Sequence, residues 1–388
     1  ASSNTAHGYY ALKSNTTGDI NTAVGGCALH ANTTGCRSAA FGFQALLKAT
    51  TGGFNTALGT YSLNQSTTAK CNVAVGTEAM FYNTAGCENT SIGFRSLHCN
   101  TTANGNTASG VCSLYANTSG SCNTAVGHMA LKSATCAHYN TAVGAMALCA
   151  ATTGYYNTAI GTFSLDALTT GYNNVALGQV SLSSLTTGAR NTATGYGSLQ
   201  MMTTACNNTA SGYRAARCTT TGNNNSAFGN QALLLNTEGC LNTASGVNAL
   251  YSNTTASGST AVGACALYNN TTGGSNTAVG AVAMQNNTTG EYSIAMGRYA
   301  LNDNSTGCRN VALGYAAMLY NTTASKNTAV GACALYSNST GASNTAVGND
   351  ALKTNTTGAS LVGVGYEALA ANTTGIRNTA LGVYSQRY

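Results

Sequence analysis

The sequence contains no proline and no tryptophan, and only 6% of its 388 residues are charged. It has no run of about 18 apolar residues, so no membrane-spanning helix is expected. Its 15 Lys and Arg residues are scattered singly, so the formal charge of +6 does not indicate nucleic-acid binding. Apolar residues make up 43% of the chain, which excludes a solvated, disordered segment of high charge.

What the sequence has instead is a repeat with a period of 17 residues. Its unit reads Asn-Thr-Ala-Val-Gly-x-x-Ala-Leu-x-x-Asn-Thr-Thr-Gly-x-x, with no insertion or deletion in any copy. Self-similarity at so short a period indicates a solenoid, and we predict one continuous domain over residues 1–388. The first glycine of the unit is present in all 23 copies, beginning with Gly8, Gly25, Gly42 and Gly59.

The start of the unit, as in residues 21–25, predicts a short strand because its β-branched residues are concentrated there. Asn begins 19 of the 23 units, including Asn21 and Asn55, and identical Asn side chains stacked at strand spacing can form an amide ladder. We therefore predict a β-solenoid-type fold of about 23 coils with a parallel sheet. Strands about 4.8 Å apart would give a rod of roughly 110 Å.

The next segment, as in residues 25–32, allows two predictions. Its fifth residue is Leu or Met in all but two copies, as at Leu12 and Leu29, and the apolar spacing fits one face of a short helix. A second short strand is the alternative, because 17 residues are few for a strand plus a helix. Asn-Thr-Thr-Gly then predicts a turn. Six copies replace its Gly by Ala, which indicates ordinary backbone angles there, unlike the invariant Gly8 series.

Two copies show a resemblance best: Asn-Thr-Ala-Val-Gly at residues 276–280 and Tyr-Ser-Ile-Ala-Met-Gly at residues 292–297. The units resemble the 17-residue Asn-Thr-Ala-x-Gly tandem repeats of phage tail-fibre-like and large bacterial surface proteins. They are more distantly similar to the head repeats of trimeric autotransporter adhesins, in which a left-handed parallel β-roll trimerises and binds host surfaces. The resemblance implies an extracellular or cell-surface fibre.

Cysteine is the most informative reactive residue, with 15 copies at variable places of the unit. Recurrent separations of 25 and 12 residues predict disulfides between neighbouring coils or subunits, and buried small thiols are the alternative. No Cys-x-x-Cys pair occurs and the five His are dispersed, so neither a metal site nor a cofactor is predicted. The candidate pairs are Cys87 with Cys112, Cys240 with Cys265, Cys308 with Cys333, Cys87 with Cys99, and Cys206 with Cys218.

The Asn-Thr-Thr turn also matches the acceptor pattern for N-glycosylation, Asn-x-Ser/Thr. A turn signal that matches by chance is the alternative interpretation. The candidate acceptors are Asn15, Asn32, Asn100, Asn117, Asn253, Asn270, Asn287, Asn304, Asn321, Asn338, Asn355 and Asn372.

The acidic residues form no recurring pair and Ser, His and Asp show no catalytic motif, so no enzyme is predicted. Neither end has a recognisable polar cap, which favours a longer array or end-to-end stacking of copies. The sequence thus predicts a structural subunit of an extracellular filament or surface fibre, with itself and glycans as partners. An adhesive or receptor-binding fibre shaft is the alternative. An ice-binding solenoid is a remote one, since each strand carries a single Thr, as at Thr22 and Thr56.

The 21 Tyr residues fall largely at variable places of the unit. Outward contacts with other chains or glycans and half-buried packing over the solenoid edge are equally compatible with that placement. They include Tyr9, Tyr10, Tyr61, Tyr115, Tyr251, Tyr268, Tyr299, Tyr315 and Tyr336.

Overall fold

The chain is a parallel β-solenoid with 17-residue coils, seen in a computed structural model that describes residues 2–386. The described residues form strands and turns and contain no helix. The chain divides into two compact units, residues 1–191 and 192–388, and each is a stack of coils. The single domain over residues 1–388 stays a prediction of the sequence.

Each coil contributes one three-residue strand at the same place of the repeat. The strands of the first unit are β1 Thr5–His7, β2 Thr22–Val24, β3 Ala39–Phe41, β4 Thr56–Leu58, β5 Val73–Val75, β6 Thr90–Ile92, β7 Thr107–Ser109, β8 Thr124–Val126, β9 Thr141–Val143, β10 Thr158–Ile160 and β11 Val175–Leu177. Those of the second are β12 Thr192–Thr194, β13 Thr209–Ser211, β14 Ser226–Phe228, β15 Thr243–Ser245, β16 Thr260–Val262, β17 Thr277–Val279, β18 Ile294–Met296, β19 Val311–Leu313, β20 Thr328–Val330, β21 Thr345–Val347, β22 Val362–Val364 and β23 Thr379–Leu381.

Neighbouring strands within each unit pair in parallel, and the paired residues lie 17 apart, as Thr22 and Ala39 do. The Thr22 N–H donates to the Ser38 carbonyl at 2.9 Å, and the Gly25 N–H donates to the His7 carbonyl at 2.8 Å. Each strand thus bonds to the coils on both sides. Equivalent residues therefore stack directly, and identical side chains form rows along each unit.

The core of each coil is thin because its largest component is one leucine or methionine. The central strand residue is small and fully buried, as at Ala23, and it faces the buried Ala28 and Leu29. Complete burial of a leucine contributes roughly 1.5–3 kcal/mol. Leu12 holds the same place in the first coil but is only half-buried.

The segment after each strand consists of two consecutive turns, so both the helix and the second strand predicted for it are wrong. In the second coil the Ala28 N–H donates to the Gly25 carbonyl at 3.3 Å, and the Asn32 N–H donates to the Leu29 carbonyl at 3.2 Å. Cys27 and Leu29 have φ of 58° and 49°, in the left-handed region, which interrupts both a helix and a strand. This conformation costs about 1–2 kcal/mol at leucine. Full burial of Leu29 and its N–H bond to the Ala45 carbonyl at 3.0 Å offset the cost.

The invariant glycine of the unit ends each strand in a conformation that other residues avoid. Gly25 has φ of 133°, and a Cβ there would lie 2.5 Å from the Gly42 carbonyl oxygen. Gly8, Gly42 and Gly59 repeat this geometry with φ between 135° and 140°. The turn glycines differ, because none of the Gly18 series has a positive φ, which explains why Ala replaces it at Ala69.

The asparagine that precedes each strand forms a buried ladder. The Asn72 side-chain amide donates to Asn55 Oδ1 at 3.1 Å and to the Gly86 carbonyl at 2.8 Å. In the second coil Asn21 bonds to the Gly35 carbonyl at 2.9 Å and accepts from the Ser38 N–H at 3.0 Å. Each amide thus joins two coils and closes the turn before the next strand.

A second asparagine row, the turn asparagine row, lies at the start of Asn-Thr-Thr-Gly. Its longest continuous run, from Asn236 to Asn372, is linked throughout by amide bonds of 2.7–3.0 Å between consecutive members. Elsewhere the row is interrupted. Ala49 follows Asn32 and Ala134 follows Asn117, and the Oδ1 atoms of both asparagines are buried without a hydrogen-bond partner.

Candidate functional site

The outer strand face consists of the first and third residues of every strand, whose side chains point away from the buried central residue. At these positions β1 to β23 contain no Asp, Glu, Lys or Arg, and the only titratable side chain is His7. The chain's 15 basic and 9 acidic residues lie elsewhere. The outer strand face is therefore uncharged along both units.

The third strand residues form an apolar row on this face. In the first unit, Leu58 is 49% exposed and Ile92 is 45% exposed. The longest run in the second unit covers eight consecutive strands in register: Val262, Val279, Met296, Leu313, Val330, Val347, Val364 and Leu381. Contiguous exposed apolar rows of this kind are uncommon on monomeric proteins and mark interaction surfaces.

Tyrosines at equivalent places of successive coils stack on one another. The rings of Tyr155 and Tyr172 lie 5.1 Å apart with a 3° angle between their planes, and those of Tyr251 and Tyr268 lie 4.9 Å apart. Tyr315, in contrast, is 55% exposed. Both interpretations left open by the sequence thus apply, each at different positions.

One cluster of tyrosines lines a groove in the second unit, which we call the aromatic groove. It has a volume of about 530 Å³. The residues that define it are Tyr299, Asp303, Tyr315, Tyr320, Tyr336 and Lys353. Tyr320 was not singled out from the sequence, and no spacing rule would have joined residues from four coils into one groove.

A polar cluster in the first unit joins Glu78, Arg95, His98 and Cys99. Arg95 Nε donates to Glu78 Oε2 at 2.7 Å, His98 Nε2 lies 3.3 Å from the same oxygen, and Cys99 Sγ lies 3.6 Å from His98 Nδ1. The His98 ring stacks on Tyr115 at 5.1 Å. Sequence reasoning missed this cluster, although the 17-residue separation of Glu78 and Arg95 is a signal for direct stacking of opposite charges.

The electrostatics of this cluster do not activate its thiol. The Arg95 guanidinium holds the pKa of Glu78 below its usual range. Burial lowers the pKa of His98, which the neighbouring Glu78 carboxylate only partly counteracts. Burial also raises the pKa of the Cys99 thiol, so the reactive thiolate is disfavoured. The cluster therefore ties coils together and lacks the features of a nucleophile with its base.

The disulfides predicted from the cysteine spacings are not formed in the described residues, which corrects that expectation. In the 25-residue pairs, the first cysteine precedes a strand and the second follows the next one, as Cys87 precedes β6 and Cys112 follows β7. A three-residue strand spans about 10 Å, whereas a disulfide needs Cα atoms within about 7 Å. The same arrangement holds for Cys240 with Cys265 and for Cys308 with Cys333.

The 12-residue pairs are separated by a turn rather than by the ladder direction. Cys206 lies before β13, and its N–H donates to Asn223 Oδ1 at 2.7 Å, at the equivalent place of the next coil. Cys218 lies before a turn and donates its N–H to the Leu234 carbonyl at 3.0 Å. Equal sequence spacing therefore gives equal geometry in this solenoid without giving contact.

The predicted glycosylation acceptors belong to the turn asparagine row, which corrects their interpretation as an exposed edge. Asn270 is fully buried, and its amide donates to Asn253 Oδ1 at 3.0 Å. Asn15 and Asn372 are half-buried. A glycan on the amide nitrogen would break the ladder. The fully buried members of the candidate set are Asn32, Asn100, Asn117, Asn253, Asn270, Asn287, Asn304, Asn321, Asn338 and Asn355.

Residues 2–386 contain no group of three or more His, Cys, Asp or Glu side chains that could hold a metal ion. Over the same residues, no helix has the length and apolar character needed to cross a membrane. A scan against protein families finds no match for the chain, and a search of curated proteins finds no similar sequence.

Proposed function

We propose that this chain is a structural subunit of an extracellular filament or surface fibre, in which copies associate laterally through the outer strand face. The observation that carries the proposal is the uncharged face with its exposed apolar row. The extracellular location rests on the resemblance of the repeat to those of tail-fibre-like and bacterial surface proteins.

The outer strand face suits contact with a second copy because nothing charged has to lose its hydration there. Burying an ion without a partner is costly, whereas burying the exposed half of a Val or Leu side chain contributes roughly 1 kcal/mol. Two sheets pack face to face at about 10 Å, with side chains from each interdigitating. The eight-strand run from Val262 to Leu381 offers such a surface over much of the second unit.

The interior of each unit supports a structural role because its polar groups bind neighbouring coils. The Asn287 amide, for example, bonds to Asn270 Oδ1 and to the Gly290 carbonyl, and Thr288 Oγ1 donates to the Ser305 carbonyl at 2.9 Å. Stability in such a stack is a sum of nearest-neighbour terms, so length is gained by adding coils without changing the design of each.

Electron microscopy and sedimentation of the purified chain test lateral association. Lysine substitutions in the apolar row, Val279→Lys and Leu313→Lys, should abolish fibres by placing charges in the interface. Thr289→Lys and Thr323→Lys add the same charges at exposed turn positions and serve as controls. Dispersed single chains for the natural sequence, or fibres that persist in the row variants with circular dichroism unchanged, would contradict the proposal.

Ice binding is a second candidate, favoured by a threonine row on the same face. Thr90, Thr107, Thr124, Thr141 and Thr158 stand in register on β6 to β10. The third residue of these strands is aliphatic or Ser rather than a second Thr. Thermal hysteresis of the purified chain, lost in Thr124→Lys, would support this candidate over lateral association.

A further inference from the structure

The aromatic groove of the second unit presents tyrosine ring faces side by side. Tyr299 and Tyr315 meet edge to face with ring centroids 6.2 Å apart, and Tyr320 and Tyr336 do so at 5.1 Å. Tyr315 is 55% exposed and Tyr320 is 47% exposed. An edge-to-face pair leaves ring faces free for a flat apolar partner.

Charged and amide side chains lie in the same groove and are held in place by their neighbours. Asp303 Oδ1 accepts from the Asn286 amide at 3.0 Å. Lys353 Nζ lies 3.1 Å from Asp350 Oδ1, and the Lys353 side chain stays 45% exposed. The groove thus combines free ring faces with hydrogen-bonding groups of both kinds, an acceptor at Asp303 and a donor at Lys353.

The size and charge of the groove narrow the class of ligand. Its volume of about 530 Å³ lies within the range of small-molecule sites. Its residues come from the coils of β18 to β21, which extend over roughly 14 Å at the spacing of parallel strands. Asp303 and Lys353 carry opposite charges, so the lining does not favour a ligand of either sign.

We propose that the aromatic groove binds a short neutral oligosaccharide. Pyranose rings present apolar C–H faces that pack on the tyrosine rings, and their hydroxyl groups bond to Asp303 and Lys353. A length of two to three sugar rings fits the four coils. The site does not depend on lateral association through the outer strand face, so the two proposals can fail independently.

Saturation-transfer NMR with maltotriose, cellotriose, chitotriose and mannotriose at millimolar concentration tests the proposal on the full chain. At least one trisaccharide should receive saturation from the protein, and titration should give its affinity. Tyr315→Ala and Tyr336→Ala should each weaken binding about tenfold, whereas Tyr315→Phe should retain it because the ring face remains.

The stacked pair Tyr251 and Tyr268 supplies the control, since it lies in the same unit outside the groove. Tyr251→Ala should leave the affinity within twofold of the natural chain. Absence of transfer to all four sugars would overturn the proposal. Equal loss in Tyr251→Ala and Tyr315→Ala, or loss in Tyr315→Phe equal to that in Tyr315→Ala, would also overturn it. Circular dichroism of each variant separates loss of binding from loss of fold.

Discussion

The Asn287 side-chain amide donates to Asn270 Oδ1 at 2.7 Å and to the Gly290 carbonyl oxygen at 3.0 Å. Its own Oδ1 accepts from the Asn304 amide at 2.7 Å. A single buried side chain therefore closes the turn of its own coil and joins it to the coils on both sides. Such a group is worth more to the fold than a surface turn residue, because removing it leaves buried partners unsatisfied.

Replacing Asn287 with Ala should lower the free energy of unfolding by about 1–3 kcal/mol, because the Asn270 oxygen and an Asn304 amide hydrogen lose their partner inside the core. Chemical denaturation followed by circular dichroism measures the change. Thr289→Ala, two residues away at an exposed turn position, is the control and should stay within about 0.5 kcal/mol of the natural chain. Equal effects of the two substitutions would show that the ladder bond contributes nothing.

Replacing Ala49 with Asn should stabilise the chain by about 1 kcal/mol. Asn32 Oδ1 and Ser66 Oγ, at the same place in the coils on either side, are both buried without a partner. An asparagine between them can donate to the first and accept from the second. Ala151→Asn is the matched control, because Ala134 and Leu168 flank it and offer no partner, so it should destabilise. A loss of stability in both variants would contradict this account.

Gly25 and Gly26 are adjacent, yet only Gly25 should resist substitution. Gly25→Ala places a Cβ 2.5 Å from the Gly42 carbonyl oxygen at φ of 133°, and should cost roughly 2–4 kcal/mol. Gly26→Ala meets only the Phe43 ring, at 3.2 Å, and a flexible side chain can move. Thermal unfolding of both variants tests this, and similar losses for the two would refute it.

Asp166 should make stability depend on pH. Burial raises its pKa, so the folded chain keeps this proton to a higher pH than the unfolded chain does. Above the folded-state pKa the carboxylate is charged while its Oδ1 is buried without a partner, and stability is reduced. Below the unfolded-state pKa both states are protonated and the penalty disappears.

Asp166→Asn should therefore raise the free energy of unfolding at pH 7 by up to about 1 kcal/mol, allowing for screening of its exposed part. The gain should vanish near pH 3. The exposed Glu238→Gln is the control and should change little at either pH. Urea unfolding at both pH values measures the difference, and a gain that is equal at pH 3 and pH 7 would rule out titration of Asp166 as its cause.

Several features of the fold could be predicted from single places of the repeat. The invariance of the Gly8 series indicated a special backbone conformation, and the Asn55 series indicated a ladder, because each row of identical residues reflects one local requirement. The turns that contain Cys27 and Leu29 could not be predicted, since a leucine in the left-handed region contradicts its intrinsic preference. Only burial of that leucine in the stacked coil makes the conformation favourable.

The candidate sites divide in the same way. Sequence spacing suggested Cys87 with Cys112, but a strand separates them, because a repeat of 17 brings together only residues 17 apart or close to it. Glu78 and Arg95 satisfy that condition and do meet, at 2.7 Å. The sequon at Asn270 resembled an exposed turn, whereas stacking buries it.

The sequence by itself determined the period, the strand positions and the parallel register, because an unbroken 17-residue repeat places each strand beside its own copy. Tertiary structure decided which side of each coil faces water. The two consecutive turns close the coil around Ala, Leu and Asn, which buries the turn asparagines and leaves the apolar row outside. It also gathered Tyr299, Tyr320 and Tyr336 from three coils into one groove. Such placement follows from the closure of the coil in space, which no single repeat unit encodes.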